Sequence, residues 1–414
     1  MKQFTIPFTY RSRIISAIKE KRKQDDKMKK DFTPTCIDFG EVQIFIARHF
    51  GFCYGVENAI EIAFKTIDDN PGKRIFLLSE MIHNPKVNED LVQRGVRFLQ
   101  DTNGKEIIPF KELTKEDVVI VPAFGTTLAI EAQLKAIGIS VEKYNTTCPF
   151  VEKVWNRSEQ IAQKKYTVVV HGKPTHEETR ATFSHAAANT PTVVVNDMNE
   201  AILLSTYITG ESAAADFYNA FEGRYSTGFN VESDLQRIGV VNQTTMLASD
   251  TQAIADFLKM TMAGKYGLDE DHIHERFADT KDTLCYATND NQSAVYGLLQ
   301  QEADLAIVVG GYNSSNTSHL VELCEQKLPT YFIDSAERLL TSSVIAHFDF
   351  HHKKENITEN FLPAHRPLRI LLTSGASCPD AVVENVIRRI TGFFITPEKF
   401  RSVEEMLLQL TAAK

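Results

Sequence analysis

Three cysteines of this 414-residue chain have surroundings that could support metal binding or thiolate chemistry. Cys53 lies in "GFCYGV", Cys148 in "TTCPF" after the predicted strand "ISVEKYN", and Cys285 in "DTLCYAT". Each stands just before a predicted helix, and Pro149 fits the first helical turn after Cys148. Backbone N–H groups in a first helical turn stabilise negative charge, which favours the thiolate that binds metals or acts as a nucleophile.

The spacing of these cysteines does not by itself identify a metal site. They are 95 and 137 residues apart, unlike the local C-x-x-C spacing of zinc and ferredoxin sites, and isolated turn cysteines are often inert. Cys378 in "GASCPDAV" repeats the Cys-Pro context of Cys148, so residue context alone also permits a four-cysteine iron–sulfur site. Cys36 and Cys324 are predicted to be packing residues.

Hydroxyl, amide, imidazole and carboxyl side chains collect at other predicted helix starts. Several have an ordinary structural explanation, because serines cap helices and Thr175 with Glu178 matches a capping box. Together they predict an anion-binding site, since such groups at helix N-termini suit a phosphate. The residues concerned are His83, His176, Glu178, Thr244, Ser314, Ser315, Asn316 and Ser377.

Alternating strands and helices must position these residues. Apolar runs precede helical patterns in "DVVIVPAFG" and "TTLAIEAQLKAIG", in "YTVVVHGKPTH" and "EETRATFSHAA", and in "ADLAIVVGGYN" and "SSNTSHLVELCEQ". This order predicts an α/β fold with mainly parallel sheets, whose ligands bind beyond the carboxyl ends of the strands. The stretch "GESAAADFYNAFEGRYSTGFNVESDLQR" interrupts the pattern and is interpreted as an insertion or a long connection.

Composition excludes several classes of protein. A net charge of −9 argues against a general nucleic-acid or membrane-surface binder, and no apolar run approaches the ~18 residues of a membrane span. The six scattered cysteines do not resemble a secreted disulfide framework, so we expect a cytoplasmic protein. Residues 1–40 are basic but contain acidic residues and no serine bias, so we interpret them as an N-terminal arm and not as a transit peptide.

Taken in order, the motifs resemble the 4-hydroxy-3-methylbut-2-enyl diphosphate reductase family, also called LytB. The resemblance runs from about residue 41 to 390 and rests on "GFCYGVENAI", "IHNPKVN", "NTTCPFVEKVW", "HGKPTHEETRAT", "NQTTML", "CYATNDNQSAV", "VVGGYNSSNTSHL" and "TSGASCPD". The strings "VPAFG" and "HGKPTHEET" are similar to the plant and cyanobacterial branch. The family fold implied is three α/β domains in a trefoil-like, pseudo-threefold arrangement around a central iron–sulfur cluster. These domains would be 41–147, 148–284 with an insertion near 205–235, and 285–392, followed by a tail helix in 393–414.

The resemblance also implies a role for each site residue. Cys53, Cys148 and Cys285 match the three ligands of a [4Fe-4S] cluster in which one iron has no cysteine, so Cys378 is not a ligand. Glu178 would deliver protons, with Thr244 assisting. The diphosphate would be held by His83, His176, Thr244, Ser314, Ser315, Asn316 and Ser377. Much of the family has a histidine where this chain has Phe124, which removes one expected diphosphate contact.

The function implied is reductive dehydroxylation of (E)-4-hydroxy-3-methylbut-2-enyl diphosphate to isopentenyl and dimethylallyl diphosphate. This is the last step of the methylerythritol phosphate route to isoprenoids. The expected partners are the diphosphate substrate and a ferredoxin or flavodoxin-type electron donor, with no nucleic acid and no membrane. Two alternatives remain open: an electron-transfer protein whose cluster uses Cys378 as a fourth ligand, and a phosphate-binding module with structural cysteines.

Overall fold

The computed structural model describes residues 4–278 and 283–412, with side chains up to 409. The chain forms two compact units with interleaved segments. The first unit contains Met1–Glu57, His83–Glu89 and Tyr286–Lys414, and the second contains Asn58–Ile82 and Asp90–Cys285.

The described residues form fourteen strands and fourteen α-helices. The strands are β1 (Thr35–Asp38), β2 (Val42–Ile46), β3 (Ile75–Leu77), β4 (Arg97–Phe98), β5 (Val118–Ile120), β6 (Thr167–His171), β7 (Thr192–Val195), β8 (Ile238–Asn242), β9 (Phe277–Ala278), β10 (Leu305–Val309), β11 (Thr330–Ile333), β12 (Val344–Asp349), β13 (Lys354–Glu359) and β14 (Leu368–Ser374). The helices are α1 (Arg13–Asp25), α2 (Tyr54–Asp69), α3 (Pro85–Gln93), α4 (Leu128–Ile137), α5 (Pro149–Gln163), α6 (Glu177–Ala187), α7 (Met198–Thr209), α8 (Ala214–Ala220), α9 (Val231–Asp234), α10 (Ala248–Tyr266), α11 (Tyr286–Leu298), α12 (Ser315–Glu325), α13 (Asp380–Thr391) and α14 (Pro397–Ala412).

The first unit is built on a five-stranded sheet in the order β1-β2-β14-β10-β11. All neighbours are parallel except β1 and β2, and the register aligns Ile44 of β2 with Ile370 of β14, and Ile370 with Leu305 of β10. Strand β10 is entirely buried and β14 almost entirely, which explains their nearly continuous apolar sequences, because a parallel sheet is covered on both faces. A separate antiparallel hairpin is formed by β12 and β13.

The chain termini are part of the core of the first unit. Ile14, Ile15 and Ile18 of α1 lie in the same buried cluster as the β2, β10 and β14 side chains. Near the C-terminus, Phe400 of α14 stacks on Phe39 with ring centroids 5.5 Å apart. Helices α1 and α14, which lie in the segments predicted as an arm and a tail, therefore pack with the sheet as ordinary core elements.

Strand β2 lies in the sheet of the C-terminal strands, where it pairs with β14. The sequence did not indicate this pairing, because local patterns do not reveal which distant strand is the partner. The predicted domain bounds at 41–147, 148–284 and 285–392 stay a prediction.

The second unit contains two further parallel sheets, β4-β3-β5 and β7-β6-β8-β9. The stretch predicted as an insertion near 205–235 connects β7 to β8 through α7, α8 and α9. Phe217, Phe221 and Phe229 from this stretch are buried beside Val193 and Val240 of the sheet. The connection is therefore part of the hydrophobic core of this unit.

The fold class is mixed α/β with mainly parallel sheets, as the sequence predicted, and the predicted strand–helix pairs are confirmed. One predicted strand is wrong: "ISVEKYN" contains a 3-10 helix at Glu142–Tyr144, and its extended part is limited to a parallel bridge between Val121 and Asn145. No helix in the described part of the chain has both the length and the hydropathy needed to cross a bilayer.

Candidate active site

The three candidate ligand cysteines all stand at helix starts. Cys53 directly precedes α2, Cys148 is the N-cap of α5 with Pro149 following it, and Cys285 directly precedes α11. Cys53 and Cys148 are partly exposed, and Cys285 is buried. The predicted position is therefore confirmed for each cysteine, and it is one in which the helix N-terminus favours a thiolate.

In the first unit, backbone contacts fix the loop that carries Cys53. The Cys53 N–H donates to the carbonyl oxygen of Ala376 at 3.2 Å, which joins this loop to the turn after β14. Gly51 has φ +76°, and a Cβ there would collide with the Asp380 carboxylate, which pairs with Lys19 at 2.7 Å. Only glycine fits this bend without moving that ion pair.

In the second unit, Cys148 and Cys285 follow segments tied to the carboxyl ends of strands. Thr146 N donates to Val121 O at 3.1 Å and Cys148 N donates to Ala123 O at 2.9 Å, so this segment runs alongside the end of β5. Near Cys285, the buried hydroxyl of Thr283 donates to the side-chain oxygen of Asn242, the last residue of β8. Both placements agree with the rule that ligands bind beyond parallel strand ends.

Cys378 differs from these three cysteines in its environment. It has no exposed surface, its Sγ lies 3.7 Å from the Pro379 carbonyl oxygen, and burial raises the pKa of its thiol to about 12. This burial fits a packing residue, and the exclusion of Cys378 from the ligand set stays a prediction. Cys324 is buried as predicted, whereas Cys36 is exposed on the edge strand β1, so its prediction as a packing residue is wrong.

Within the described residues, neither unit contains three or more His, Cys, Asp or Glu side chains placed close enough together to bind one metal ion. Cys53 belongs to the first unit, and Cys148 and Cys285 belong to the second. Their assignment as one ligand set therefore remains a prediction.

The first unit gathers polar groups at the start of α12. Ser314 is the N-cap, and its Oγ accepts a hydrogen bond from Thr317 N at 3.2 Å. Asn316 Oδ1 accepts from Ala376 N at 3.0 Å. Ser315 Oγ and Asn316 Nδ2 are buried and have no hydrogen-bond partner among the described protein atoms. Two buried polar groups beside a helix N-terminus suit an anion, whose oxygens would accept their hydrogen bonds.

His83 joins the same region of the first unit. Ser377 Oγ donates to the carbonyl oxygen of His83 at 3.1 Å. The end of β10 also approaches this carbonyl, because a Cβ on Gly311 would collide with it. Five predicted residues therefore meet at the carboxyl ends of β10 and β14 in this unit: His83, Ser314, Ser315, Asn316 and Ser377.

In the second unit, His176 and not Thr175 is the N-cap of α6. Its Nδ1 accepts from Glu178 N at 3.1 Å, so the predicted capping box is replaced by an imidazole cap. Because Nδ1 accepts, the proton of the neutral ring is on Nε2. The ring of Phe124 packs edge-on against His176, with centroids 5.5 Å apart. Phe124, which replaces the histidine expected from the family resemblance, thus packs against His176, a residue predicted to bind the diphosphate.

The predicted pair of Glu178 and Thr244 is brought together in the second unit. Glu178 is buried, its Oε1 accepts from Thr244 N at 2.5 Å, and its Oε2 accepts from Thr244 Oγ1 at 2.9 Å. This arrangement places a carboxyl group at the end of β8 in contact with a hydroxyl, which is suited to holding or transferring a proton.

Gln243 has a structural role that sequence reasoning missed. Its Oε1 accepts from Lys173 N at 3.1 Å and from Thr179 Oγ1 at 3.0 Å, and its Nε2 donates to Thr245 Oγ1 at 2.6 Å. One buried amide thus joins the loops after β6 and β8 and the first turn of α6. The sequence showed Gln243 only as a polar residue at a strand end, and no local signal indicated its partners.

Comparison with known proteins adds the family. A model described as "LytB protein" matches residues 44–391. A Picosynechococcus protein named 4-hydroxy-3-methylbut-2-enyl diphosphate reductase is 42% identical over 352 residues, covering 85% of this chain and 84% of the relative. A Cyanothece protein with the same name is 39% identical over 385 residues, covering 92% and 89%. Both relatives are cyanobacterial, in agreement with the branch that the sequence resembled.

Two solved structures are also similar. A structure described as (E)-4-hydroxy-3-methyl-but-2-enyl diphosphate reductase, the terminal enzyme of the non-mevalonate pathway, has a TM-score of 0.51 and 25% identity, and covers 84% of this chain and 99% of that one. The E-1-hydroxy-2-methyl-but-2-enyl-4-diphosphate reductase from Plasmodium falciparum has a TM-score of 0.60 and 21% identity, covering 87% and 90%. The second likeness concerns the fold alone.

Proposed function

Because the chain belongs to the LytB family, we propose that it is a 4-hydroxy-3-methylbut-2-enyl diphosphate reductase. Two electrons and two protons would remove the allylic hydroxyl as water and leave isopentenyl diphosphate and dimethylallyl diphosphate. The observation that carries the proposal is the position of Cys53, Cys148 and Cys285 at three helix starts, while Cys378 has no exposed surface.

The cysteines fit an iron–sulfur cluster by the chemistry of their donors. Helix N-termini stabilise the thiolates of Cys53, Cys148 and Cys285, and thiolates are the ligands that iron–sulfur clusters use. These residues would hold a [4Fe-4S] cluster that retains one iron without a cysteine. When bound, such a cluster supplies electrons and a Lewis acid for the hydroxyl group.

The first unit would bind the diphosphate. Ser315 Oγ and Asn316 Nδ2 would donate to phosphate oxygens, and the N-terminal end of α12 would stabilise their charge. Ser314 is already used as the helix cap, so its hydroxyl orients the turn that presents these donors. His83 and Ser377 are joined through the His83 carbonyl oxygen, which accepts from Ser377 Oγ at 3.1 Å, and both residues would contact the diphosphate.

The second unit would supply the proton. Thr244 N–H holds Glu178 Oε1 in place, and the Thr244 hydroxyl lies against Oε2, the oxygen that would carry and release the proton. His176 fixes the start of α6, because its Nδ1 accepts from Glu178 N at 3.1 Å. We infer that this imidazole would also bind the diphosphate.

The proposal extends to partners and location. A ferredoxin or flavodoxin-type protein would supply electrons one at a time, and the absence of a secreted cysteine framework in the sequence favours the cytoplasm. The trefoil-like arrangement of three α/β domains is also part of the proposal.

The experiment is an anaerobic assay of the purified protein with the diphosphate substrate and reduced methyl viologen. We expect iron and sulfide to be present, both five-carbon diphosphates to form, and the EPR spectrum of the cluster to change when substrate is added. If the EPR spectrum of the cluster did not change when substrate was added, the protein would instead be an electron carrier whose cluster has a fourth protein ligand. Protein without iron would favour a phosphate-binding module.

A further inference from the structure

A short ordered turn after α1 presents four exposed residues, Lys27–Lys30, here called the lysine turn. Lys29 N donates to Asp26 O at 3.3 Å, and Asp31 N donates to Asp26 Oδ2 at 2.9 Å. Arg22 Nη2 donates to Asp31 Oδ2 at 3.0 Å and to the carbonyl oxygen of Thr33 at 2.9 Å. Hydrogen bonds therefore hold the turn at both ends, and none of them uses the side chain of a lysine in the turn.

The lysine turn carries an apolar residue and contacts an aromatic one. Met28 is 73% exposed and Tyr286, the first residue of α11, is 40% exposed. Lys29 adopts φ +54°, a region that residues with a side chain seldom occupy, and its Nζ lies 5.8 Å from the Tyr286 ring centroid and 3.9 Å from Asp290 Oδ2. This backbone conformation brings the lysine turn beside Tyr286 within the first unit.

The segment that contains the lysine turn is strongly basic in an acidic protein. Residues 11–30 hold nine Lys or Arg against three Asp or Glu, whereas the whole chain holds 45 against 54. Two of the acidic residues are used internally, because Asp25 pairs with Lys21 at 2.9 Å and Asp26 binds the turn backbone. Among residues 4–278 and 283–412, Lys27 and Lys30 form no ion pair, so their charges face solvent.

We propose that the lysine turn and Tyr286 form the docking surface for a small acidic one-electron carrier protein. This inference rests on the proposed function, because Tyr286 follows Cys285, a proposed cluster ligand, in the chain. Met28 is exposed between lysines in the chain, and the exposed ring of Tyr286 lies 5.8 Å from Lys29 Nζ. These residues match an interface with an apolar centre and a polar, charged rim. Such a rim speeds the encounter with an acidic partner and suits the small, short-lived complexes of electron transfer.

The test compares two reductants with the anaerobically purified holoenzyme. The variant carries Lys27→Gln, Lys29→Gln and Lys30→Gln, and a matched control carries the same three changes at exposed lysines elsewhere, Lys105, Lys115 and Lys354. Turnover is measured with a reduced acidic [2Fe-2S] ferredoxin and, separately, with reduced methyl viologen. Binding of the same ferredoxin is measured directly by calorimetry at low and high ionic strength.

We expect the lysine-turn variant to raise KM for ferredoxin about 10-fold at low ionic strength and to lose most of the salt dependence. Its turnover with methyl viologen should match that of the wild type, and the control should behave as the wild type with both reductants. A Met28→Ser variant should weaken ferredoxin binding at either ionic strength, because it removes an apolar contact and no charge.

Other outcomes separate the two proposals. An unchanged KM in the lysine-turn variant, or an equal rise in the control, would overturn the docking surface while leaving the reductase intact. A wild type that is inactive with both reductants would contradict the proposed function, and ferredoxin binding would then still decide the surface. Binding to phosphatidylserine vesicles without binding to ferredoxin would assign this surface to a membrane and also overturn the inference.

Discussion

The predicted site residues of the two units differ in whether their buried polar atoms have hydrogen-bond partners. In the first unit, Ser315 Oγ and Asn316 Nδ2 are buried and have no hydrogen-bond partner within residues 4–278 and 283–412. In the second unit, both carboxylate oxygens of Glu178 accept hydrogen bonds from Thr244. A buried polar group without a partner costs about 1–3 kcal/mol, which a bound anion can offset. This difference fits the proposed roles: donors without a protein partner are available to bind an anion, whereas a carboxylate fixed by two hydrogen bonds keeps one position for proton transfer.

The largest effects should come from the cysteines of both units. We expect Cys53→Ser, Cys148→Ser and Cys285→Ser each to abolish cluster content and activity, measured anaerobically by iron and sulfide analysis and by turnover. Cys378→Ser is the control and should keep most of both, because this side chain has no exposed surface and is not one of the three proposed ligands.

The same contrast can be measured without mutation. With its pKa raised to about 12, Cys378 should resist alkylation by iodoacetamide at neutral pH in the folded protein. Full activity in any of the three ligand variants, or loss of the cluster in Cys378→Ser, would contradict the assignment.

The next largest effect should separate chemistry from binding in the second unit. Glu178→Gln keeps the size of the side chain but removes the proton, so turnover should fall ~10²-fold or more while KM stays near the wild-type value. Steady-state kinetics with methyl viologen measures both quantities. Wild-type turnover in this variant would show that Glu178 only supports the start of α6.

The opposite result is expected in the first unit. Ser315→Ala removes a hydroxyl that has no hydrogen-bond partner in the described part of the protein, so the melting temperature of the substrate-free protein should not fall. A lost hydrogen bond to a charged phosphate costs about 1.5–3 kcal/mol, which corresponds to a KM higher by about 10-fold or more. Thermal unfolding and kinetics test this together, and a destabilised protein with unchanged KM would give Ser315 a purely structural role.

The smallest effect should sharpen the role assigned to Thr244. Thr244→Val loses the hydroxyl bond to Glu178 Oε2 but keeps the backbone bond to Oε1, so turnover should fall about 10-fold. Thr244→Ser keeps the hydroxyl and should restore most of that loss. If Thr244→Val and Thr244→Ser had the same turnover, the Thr244 hydroxyl would make no contribution to turnover, and only the backbone N–H bond to Glu178 Oε1 would remain as a functional contact.

Much of the site was predictable from sequence, because its residues lie in short motifs next to strand ends. The positions of Cys53, Cys148 and Cys285 before helices follow from local patterns, and so does Ser314 as a cap. The cap of α6 was mispredicted because serine, threonine and histidine can all accept from a helix N–H, and only the backbone path shows that His176 is the one in position.

Long-range relations were not predictable in the same way. The pairing of β2 with β14 joins residues more than three hundred positions apart, and the cross-links of Gln243 reach two other loops. Cys36 and Cys378 also show this limit, because the burial of a cysteine depends on what the rest of the chain places over it.

The sequence by itself determined the α/β class, the family and the residue types of the site, since periodicity and short motifs are local properties of a chain. The tertiary structure decided which of those residues are open and which are already bonded. Burial and hydrogen bonding are set by distant segments, so they separate Cys378 from the partly exposed Cys53 and Cys148, and Ser315 from Glu178, in ways that no local pattern could show.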